Sequence, residues 1–327
     1  MIDILWLKNN KKMVAVKIEN LVKKFESTAA INHINLEIEQ GKIVGLIGPD
    51  GAGKTTLLRL LAALLKPTSG SIFVDGVDIL KFPQQIKDRI GYMPQHFSLY
   101  GDLTVSENLK FFADLYGVPL SRFKARKEEL LQFSGLAPFE DRLSRNLSGG
   151  MQKKLALSSN LFHTPKILLL DEPTTGVDPV SRRELWEILY KLNAEGATLV
   201  LTTPYMDEAS KCHEVGLLYE GVILTYKPPQ SLIQEMKDEI IELIADQEQA
   251  RKAIKNLPDL KWAYPFGETL HLVFESDKQG LEKTKKALDG QGIQIQGLKR
   301  IPPSFEDVFL ALVQEERTGK KDTNVLD

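Results

Sequence analysis

Residues Gly48 to Thr55 read GPDGAGKT, directly after the apolar run KIVGLI and ahead of TTLLRLLAALL. Glycines at that spacing let a short loop curl until its backbone N–H groups point inward, and a helix starting where the loop ends adds favourable potential for an anion. Gly48, Gly51 and Gly53 supply the freedom to curl, with Asp50, Ala52 and Thr56 beside them. Lys54 would then reach the β and γ phosphates of a nucleotide, and Thr55 would offer its hydroxyl to magnesium.

A second run, KILLLDEP from Lys166 to Pro173, is an apolar strand ending in two acids. Such a strand belongs in the middle of a covered sheet, and ligands sit outside the C-terminal ends of such strands. Asp171 would complete the magnesium shell, and Glu172 would polarise an attacking water as general base, making Glu172 and Lys54 the catalytic pair. Neighbours on a strand point to opposite sides, which suits two tasks. Taken alone, ordinary acids at a solvated strand end would read the same way. A third run, LSGGMQKK from Leu147 to Lys154, starts a helix with Ser148 at its N-cap and two glycines that leave amides open to an anion.

The three runs in one chain resemble the motifs of ATP-binding cassette (ABC) proteins. The resemblance implies ATP and magnesium as ligands. It also implies a composite site, in which the third run, the family's signature, closes over a nucleotide held by the phosphate loop of another subunit. Leu147, Ser148, Gly149, Gly150 and Gln152 would act there in trans, with Ser148 and Gly150 against the γ-phosphate. Phe25 in LVKKFES matches the aromatic that stacks on adenine, although a lone Phe suits a sheet core equally well. Gln95 in GYMPQ matches the glutamine that touches magnesium and relays nucleotide state to a membrane subunit; a surface amide is the plainer reading. Asp178 matches the acid that links the two sites of a dimer, and ahead of Pro179 it also has the position of an N-cap. One position departs from the pattern: TTPYMDEA puts Pro204 where the family carries a histidine. His33, His96, His163, His213 and His271 all lie in other contexts. Proline offers the γ-phosphate no imidazole, though it suits the first turn of a helix capped by Thr203.

Elements must bring these residues together. Up to about Met236, β-branched strands alternate with amphipathic helices, the pattern of a mainly parallel sheet covered by helices. Strand-like runs lie at Val14–Leu21, Ile34–Glu39, Ile43–Ile47, Ile167–Asp171 and Thr198–Thr202. Between His96 and Phe162 the periodicity is helical, with Thr104 and Glu107 at capping-box spacing. With the resemblance, the expected fold is α/β: a P-loop ABC ATPase core over residues 14–237, with a β-rich N-terminal lobe and a helical subdomain at about 97–160. Residues 1–13 read as a loose leader, with neither a signal-peptide apolar stretch nor a cleavage site. Residues 238–327 form a small α+β accessory domain, whose order of strand, helix, strand, strand, helix, strand points to a ferredoxin-like arrangement.

Composition narrows the partners. Forty-four acids against 42 bases argue against a chain that neutralises nucleic-acid phosphates, so no nucleic-acid partner is expected. Cys212 is the single cysteine, which excludes a disulfide framework and fits a reducing compartment. The best apolar run, Leu57 to Leu65, is far short of the ~20 residues a spanning helix needs and contains Arg59. A subunit that drives transport without crossing the bilayer implies a separate membrane-spanning permease and a cytoplasmic, peripheral place on the inner face of the cell membrane. The stretch GYMPQHFSLYGDLTVSENLKFFADLYG and the ending PPSFEDVFLALV resemble exporter cassettes, and Pro204 is similar to the degenerate switch positions of the N-terminal cassette in tandem-cassette exporters. With one phosphate loop and one signature here, the second cassette would come from an identical or a different chain. Two alternatives stand beside this reading. One is a regulatory cassette that binds ATP and cleaves it slowly. The other is a soluble cassette protein acting on nucleic acid or ribosomes, although the sequence has no coiled-coil arm, basic linker between cassettes or zinc insertion.

Overall fold

The computed structural model describes residues 13–96, 99–275 and 279–323, and its first strand is β1 (Val14–Phe25). The leader, apart from Met13, therefore lies outside the described residues. After β1 come β2 (Thr28–Glu39), β3 (Ile43–Ile47), α1 (Lys54–Leu61), β4 (Ser69–Val74), β5 (Val77–Asp78) and β6 (Ile90–Met93). Helices α2 (Val105–Leu115), α3 (Leu120–Ser134) and α4 (Gly149–Ser159) follow, then β7 (Ile167–Asp171), α5 (Pro179–Ala194), β8 (Thr198–Thr203), β9 (Glu214–Tyr219) and β10 (Val222–Lys227). The chain divides into two units between Pro228 and Pro229, rather than after Lys237 where the composition changes.

The first unit contains two sheets. Strands β2, β1, β4 and β5 form an antiparallel sheet in that order, and β10-β9-β3-β8-β7-β6 form the second. In the second sheet every pairing except β9 with β10 is parallel. Strands β3 and β7 are buried at every position, as parallel strands covered on both faces must be. Helix α1 places Leu57, Leu58, Leu60 and Leu61 in one apolar cluster with Ile18 and Ile34 of the antiparallel sheet and Leu46 and Leu169 of the parallel one. That packing anchors the helix whose first residue is Lys54.

Helices α2 to α4 are the expected helical insertion, and they occupy the connection between β6 and β7. Thr104 and Glu107 do form a capping box at the start of α2: Glu107 N donates to Thr104 Oγ1 at 3.1 Å, and Thr104 N donates to Glu107 Oε2 at 2.7 Å. Five strands escaped the sequence reading: β4, β5, β6, β9 and β10. The helix expected after β8 is also different. Pro204 is followed by a 3-10 turn over Met206–Lys211 with Tyr205 at its N-cap, and Thr203 Oγ1 accepts from Tyr205 N at 3.0 Å instead of capping a helix.

In the second unit α6 (Pro229–Glu235) leads into β11 (Glu239–Ile244), α7 (Gln247–Ile254), β12 (Leu260–Phe266), β13 (Thr269–Phe274), α8 (Gly280–Asp289), β14 (Gly297–Ile301) and α9 (Phe305–Thr323). All strands pair antiparallel in the order β12-β13-β11-β14, the arrangement of a ferredoxin-like βαββαβ unit. Helices α7 and α8 bury Ala250, Ile254 and Leu288 against Ile241, Leu272 and Phe274 of the sheet, giving this unit its own core.

Candidate active site

The phosphate loop leaves β3 at Gly48 and enters α1 at Lys54. Gly48 must be glycine because a Cβ would lie 2.1 Å from the Leu218 carbonyl oxygen, and Gly53 has φ 104° with the Ala30 carbonyl 2.5 Å from where its Cβ would be. Ala52 is buried under the loop, and its N–H already donates to Pro49 O at 3.2 Å. The remaining loop, Asp50 to Thr56, faces Gln95 and Glu172 across a cleft of about 330 Å³, with Ala30 on one side.

Lys54 is 5% exposed, and its ammonium donates to the carbonyls of Gly48 and Pro49 at 2.8 and 3.0 Å. It stands 3.8 Å from Glu172 Oε1. Thr55 Oγ1 donates to Asp171 Oδ1 at 3.0 Å, and Thr202 Oγ1 donates to the same oxygen at 2.7 Å. The other carboxylate oxygen, Asp171 Oδ2, is buried without a hydrogen-bond partner among the described residues. A hydroxyl and a carboxylate oxygen side by side, with a second oxygen left unsatisfied, are the hard-oxygen donors that magnesium takes. The donor set at Thr55 and Asp171 thus fits the ion.

The strand-alternation reading of the two acids fails here. Glu172 lies one residue past the end of β7 and has φ 48°, in the left-handed region. That turn carries its carboxylate back toward the phosphate loop, so both acids converge on Lys54 and Thr55. Gln95 Nε2 donates to Glu172 Oε2 at 2.9 Å, and Thr175 Oγ1 donates to it at 3.2 Å. Gln95 is therefore a half-buried amide bonded to the neighbouring acid. Phe25, at the end of β1, is 46% exposed, which removes the sheet-core alternative, and the Lys23 ammonium lies 4.9 Å from its ring centre.

The signature residues do not line this cleft. Ser148 caps α4, accepting from Met151 N at 3.3 Å, and is exposed together with Gly149. Leu147 is buried, and Gln152 Nε2 donates to Ser144 O at 2.9 Å. Gly150 is buried for a reason inside the chain: a Cβ would lie 2.4 Å from Ser181 Cβ on α5. Asp178 caps α5, with Oδ1 accepting from Val180 N at 3.1 Å and Ser181 N at 3.0 Å. Bonds from the Ser181 side chain and backbone hold its carboxyl below the usual range. Pro204 is half-buried at the end of β8.

Two residues at the site have no role among those the sequence singles out. Thr202 accepts the Glu172 N–H at 2.9 Å while donating to Asp171. Lys153, next to Gln152 in the signature run, donates to the Glu172 carbonyl at 3.0 Å.

The chain is similar to known proteins over most of its length. The ABC transporter family profile matches residues 31–175. The chain is 40% identical over 91% of its length to the "Probable multidrug ABC transporter ATP-binding protein YbhF" of Escherichia coli, covering 52% of that protein. It thus spans about half the length of that relative. It is 34% identical to a Nod factor export ATP-binding protein I of Ralstonia nicotianae, over 92% of this chain and 94% of that one. It is 31% identical to the daunorubicin/doxorubicin resistance ATP-binding protein DrrA of Streptomyces peucetius, over 93% and 94%. Among solved structures, cbiO1 of Clostridium perfringens, part of the ABC transporter complex cbiONQ, superposes with TM-score 0.62 at 28% identity, over 75% of this chain and 96% of that one. The dimeric cassette MJ0796 bound to ADP and Pi superposes with TM-score 0.59 at 29% identity, over 65% and 98%. With a phosphate loop, paired acids and a signature helix in family order, and near full-length relatives above 30% identity, this chain belongs to the ATP-binding cassettes of ABC transporters.

Proposed function

We propose that this chain is the ATP-binding and ATP-hydrolysing subunit of an exporter, working on the inner face of the cell membrane against a separate permease and paired with a second cassette. The observation that carries the reading is the convergence of Lys54, Thr55, Asp171, Glu172 and Gln95 on one cleft. Two further facts support it. Among the described residues no helix is long and apolar enough to cross a membrane, and near full-length relatives carry export or drug-resistance names.

In this reading the loop amides and Lys54 bind the β and γ phosphates, and Phe25 stacks on adenine. Thr55, Asp171 and the amide oxygen of Gln95 would hold magnesium, which would supply neutralisation of the phosphate charge when bound. Glu172 takes the proton of the attacking water at its carboxylate. Gln95 and Thr175 orient that carboxylate from one side. Ser148, exposed at the start of α4 and away from the chain's own cleft, and the buried Gly150 beside it serve the partner's nucleotide, and Asp178 joins the two sites. Light scattering with ATP and magnesium tests the pairing: ATP-dependent dimers are expected, and a chain that stays monomeric while binding ATP would point to an unlike partner cassette.

A second reading rests on Pro204. A positioned proton-transfer or hydrogen-bonding group contributes about 10²–10⁴ in rate, so sites that lack the switch histidine should turn over slowly, as in a regulatory cassette. Pairing with an unlike cassette would let one composite site fire while this chain lends its signature, as in the tandem-cassette exporters it resembles. Pro204→His should raise the turnover of the isolated chain about a hundredfold, the low side of that range. Brisk wild-type hydrolysis with no gain from the substitution would retire the regulatory reading.

A further inference from the structure

The φ of 48° at Glu172 is one that residues with a side chain rarely adopt, and it is strained. Such a peptide persists only where its surroundings over-determine it. Restraints act on both sides of this one. Its N–H donates to Thr202 Oγ1 at 2.9 Å, and its carbonyl accepts from Thr175 N at 3.3 Å and from Lys153 Nζ at 3.0 Å. Lys153 belongs to α4, and its side chain is 5% exposed. The same ammonium donates to the Gln95 carbonyl at 3.3 Å. One buried cation thus holds the backbones of two residues whose side chains are bonded to each other at 2.9 Å.

An ammonium out of water is unfavourable unless charge and hydrogen bonds compensate it. Burial pulls the Lys153 ammonium below its usual pKa, while the Glu172 and Asp171 carboxylates push it back up. A neutral side chain would fill the same space without that desolvation, so the charge at this position has a task beyond packing. We infer that Lys153 is a positioning residue, through which the helix that begins with the signature sets the Glu172 peptide and the Gln95 backbone of its own chain. The inference rests on reading Glu172 as the base. Ser148 and Lys153 lie within two turns of one rigid element, α4, whose N-terminus is the surface offered to a second nucleotide. A shift of α4 under that nucleotide would reach the Glu172 carbonyl directly, linking the geometry of one site to the occupancy of the other.

The test uses the full chain, with single-turnover release of labelled phosphate and binding of a fluorescent ATP analogue. Because small misplacements of a reacting group can lose 10²-fold in rate, Lys153→Met should slow phosphate release about ten- to hundredfold. Nucleotide affinity and melting temperature should stay near wild type. Lys153→Arg, which keeps the charge and the donors, should recover most of the rate. A folded Lys153→Met chain with wild-type rate overturns the inference. So does a rate loss that follows a fall in melting temperature and is not recovered by arginine. If Lys153→Met does not fold, Lys153→Gln replaces it under the same two criteria. Glu172→Gln run in parallel separates the readings. Inactive Glu172→Gln beside fully active Lys153→Met removes the positioning role alone. Fully active Glu172→Gln removes the base assignment, and the positioning role with it.

Discussion

The two ends of the catalytic apparatus differ in how complete they are within one chain. At the phosphate loop the main polar side chains pair with one another: Lys54 near Glu172, Thr55 on Asp171, Gln95 on Glu172. At the start of α4, by contrast, Ser148 and Gly149 are exposed, and the bonds they and their neighbours make serve only to cap and pack the helix. The first end is a site that one chain can assemble. The second is an exposed surface, and under the proposed function it is the half of a composite site that a second cassette would complete.

Substitutions can break or sharpen that contrast. The largest effect is expected at Glu172. Removing a general base typically loses about 10²–10⁴ in rate, so Glu172→Gln should nearly abolish phosphate release while ATP-bound dimers accumulate in light scattering. Next is Lys54→Ala, which deletes charge-assisted hydrogen bonds to phosphate worth about 1.5–3 kcal/mol. Calorimetry should report ATP affinity about ten- to hundredfold weaker with the melting curve little changed; unchanged affinity would dissolve the phosphate-loop assignment.

Gly150→Ala probes the other end. Its Cβ would press on Ser181 at 2.4 Å, and overpacking of this kind loses typically about 1–3 kcal/mol. A lower melting temperature without nucleotide is therefore expected, together with weaker ATP-driven pairing. If pairing weakens and stability does not, Gly150 matters for the partner's nucleotide alone. Phe25→Ala should have the smallest effect, about tenfold in ATP affinity, within the ~1–3 kcal/mol of one base stack. Titration with ATP and with a triphosphate lacking the base would separate stacking from any change in the hairpin.

Much of this was legible in the sequence because the motifs coincide with strong local signals. GPDGAGKT sits between an apolar strand and a helix, and KILLLDEP became a fully buried strand in a parallel sheet. Other features were hidden for physical reasons. Strand β6 is only IGYM, with Gly91 in the middle because a Cβ there would meet Leu168 at 2.7 Å; glycine in so short a run reads as a turn. Strand β9 carries Gly216 in the same way, and β4 opens on Ser-Gly-Ser. The convergence of the two acids could not be read from strand alternation because it depends on one left-handed residue, Glu172, imposed by tertiary bonds. Lys153 was missed because a lysine pair on a helix ordinarily reads as a solvated face, and only the fold buries one of the two so deeply.

The placement of the helical insertion has a consequence for how such a chain can vary. Neighbouring parallel strands such as β6 and β7 cannot be joined by a tight turn; they need a crossover of a dozen or more residues. Here that obligatory crossover has grown into α2, α3 and α4. Since doubling the length of a flexible connection adds only about 0.6 kcal/mol of closure entropy, the tips of this crossover are free to lengthen, shorten or change character while strand register stays put. At its departure Gln95 bonds the Glu172 carboxylate, and at its return Lys153 bonds the backbone carbonyl of the same residue. The sheet can therefore keep one chemistry constant while the outer helices are re-tailored to whatever protein they must fit.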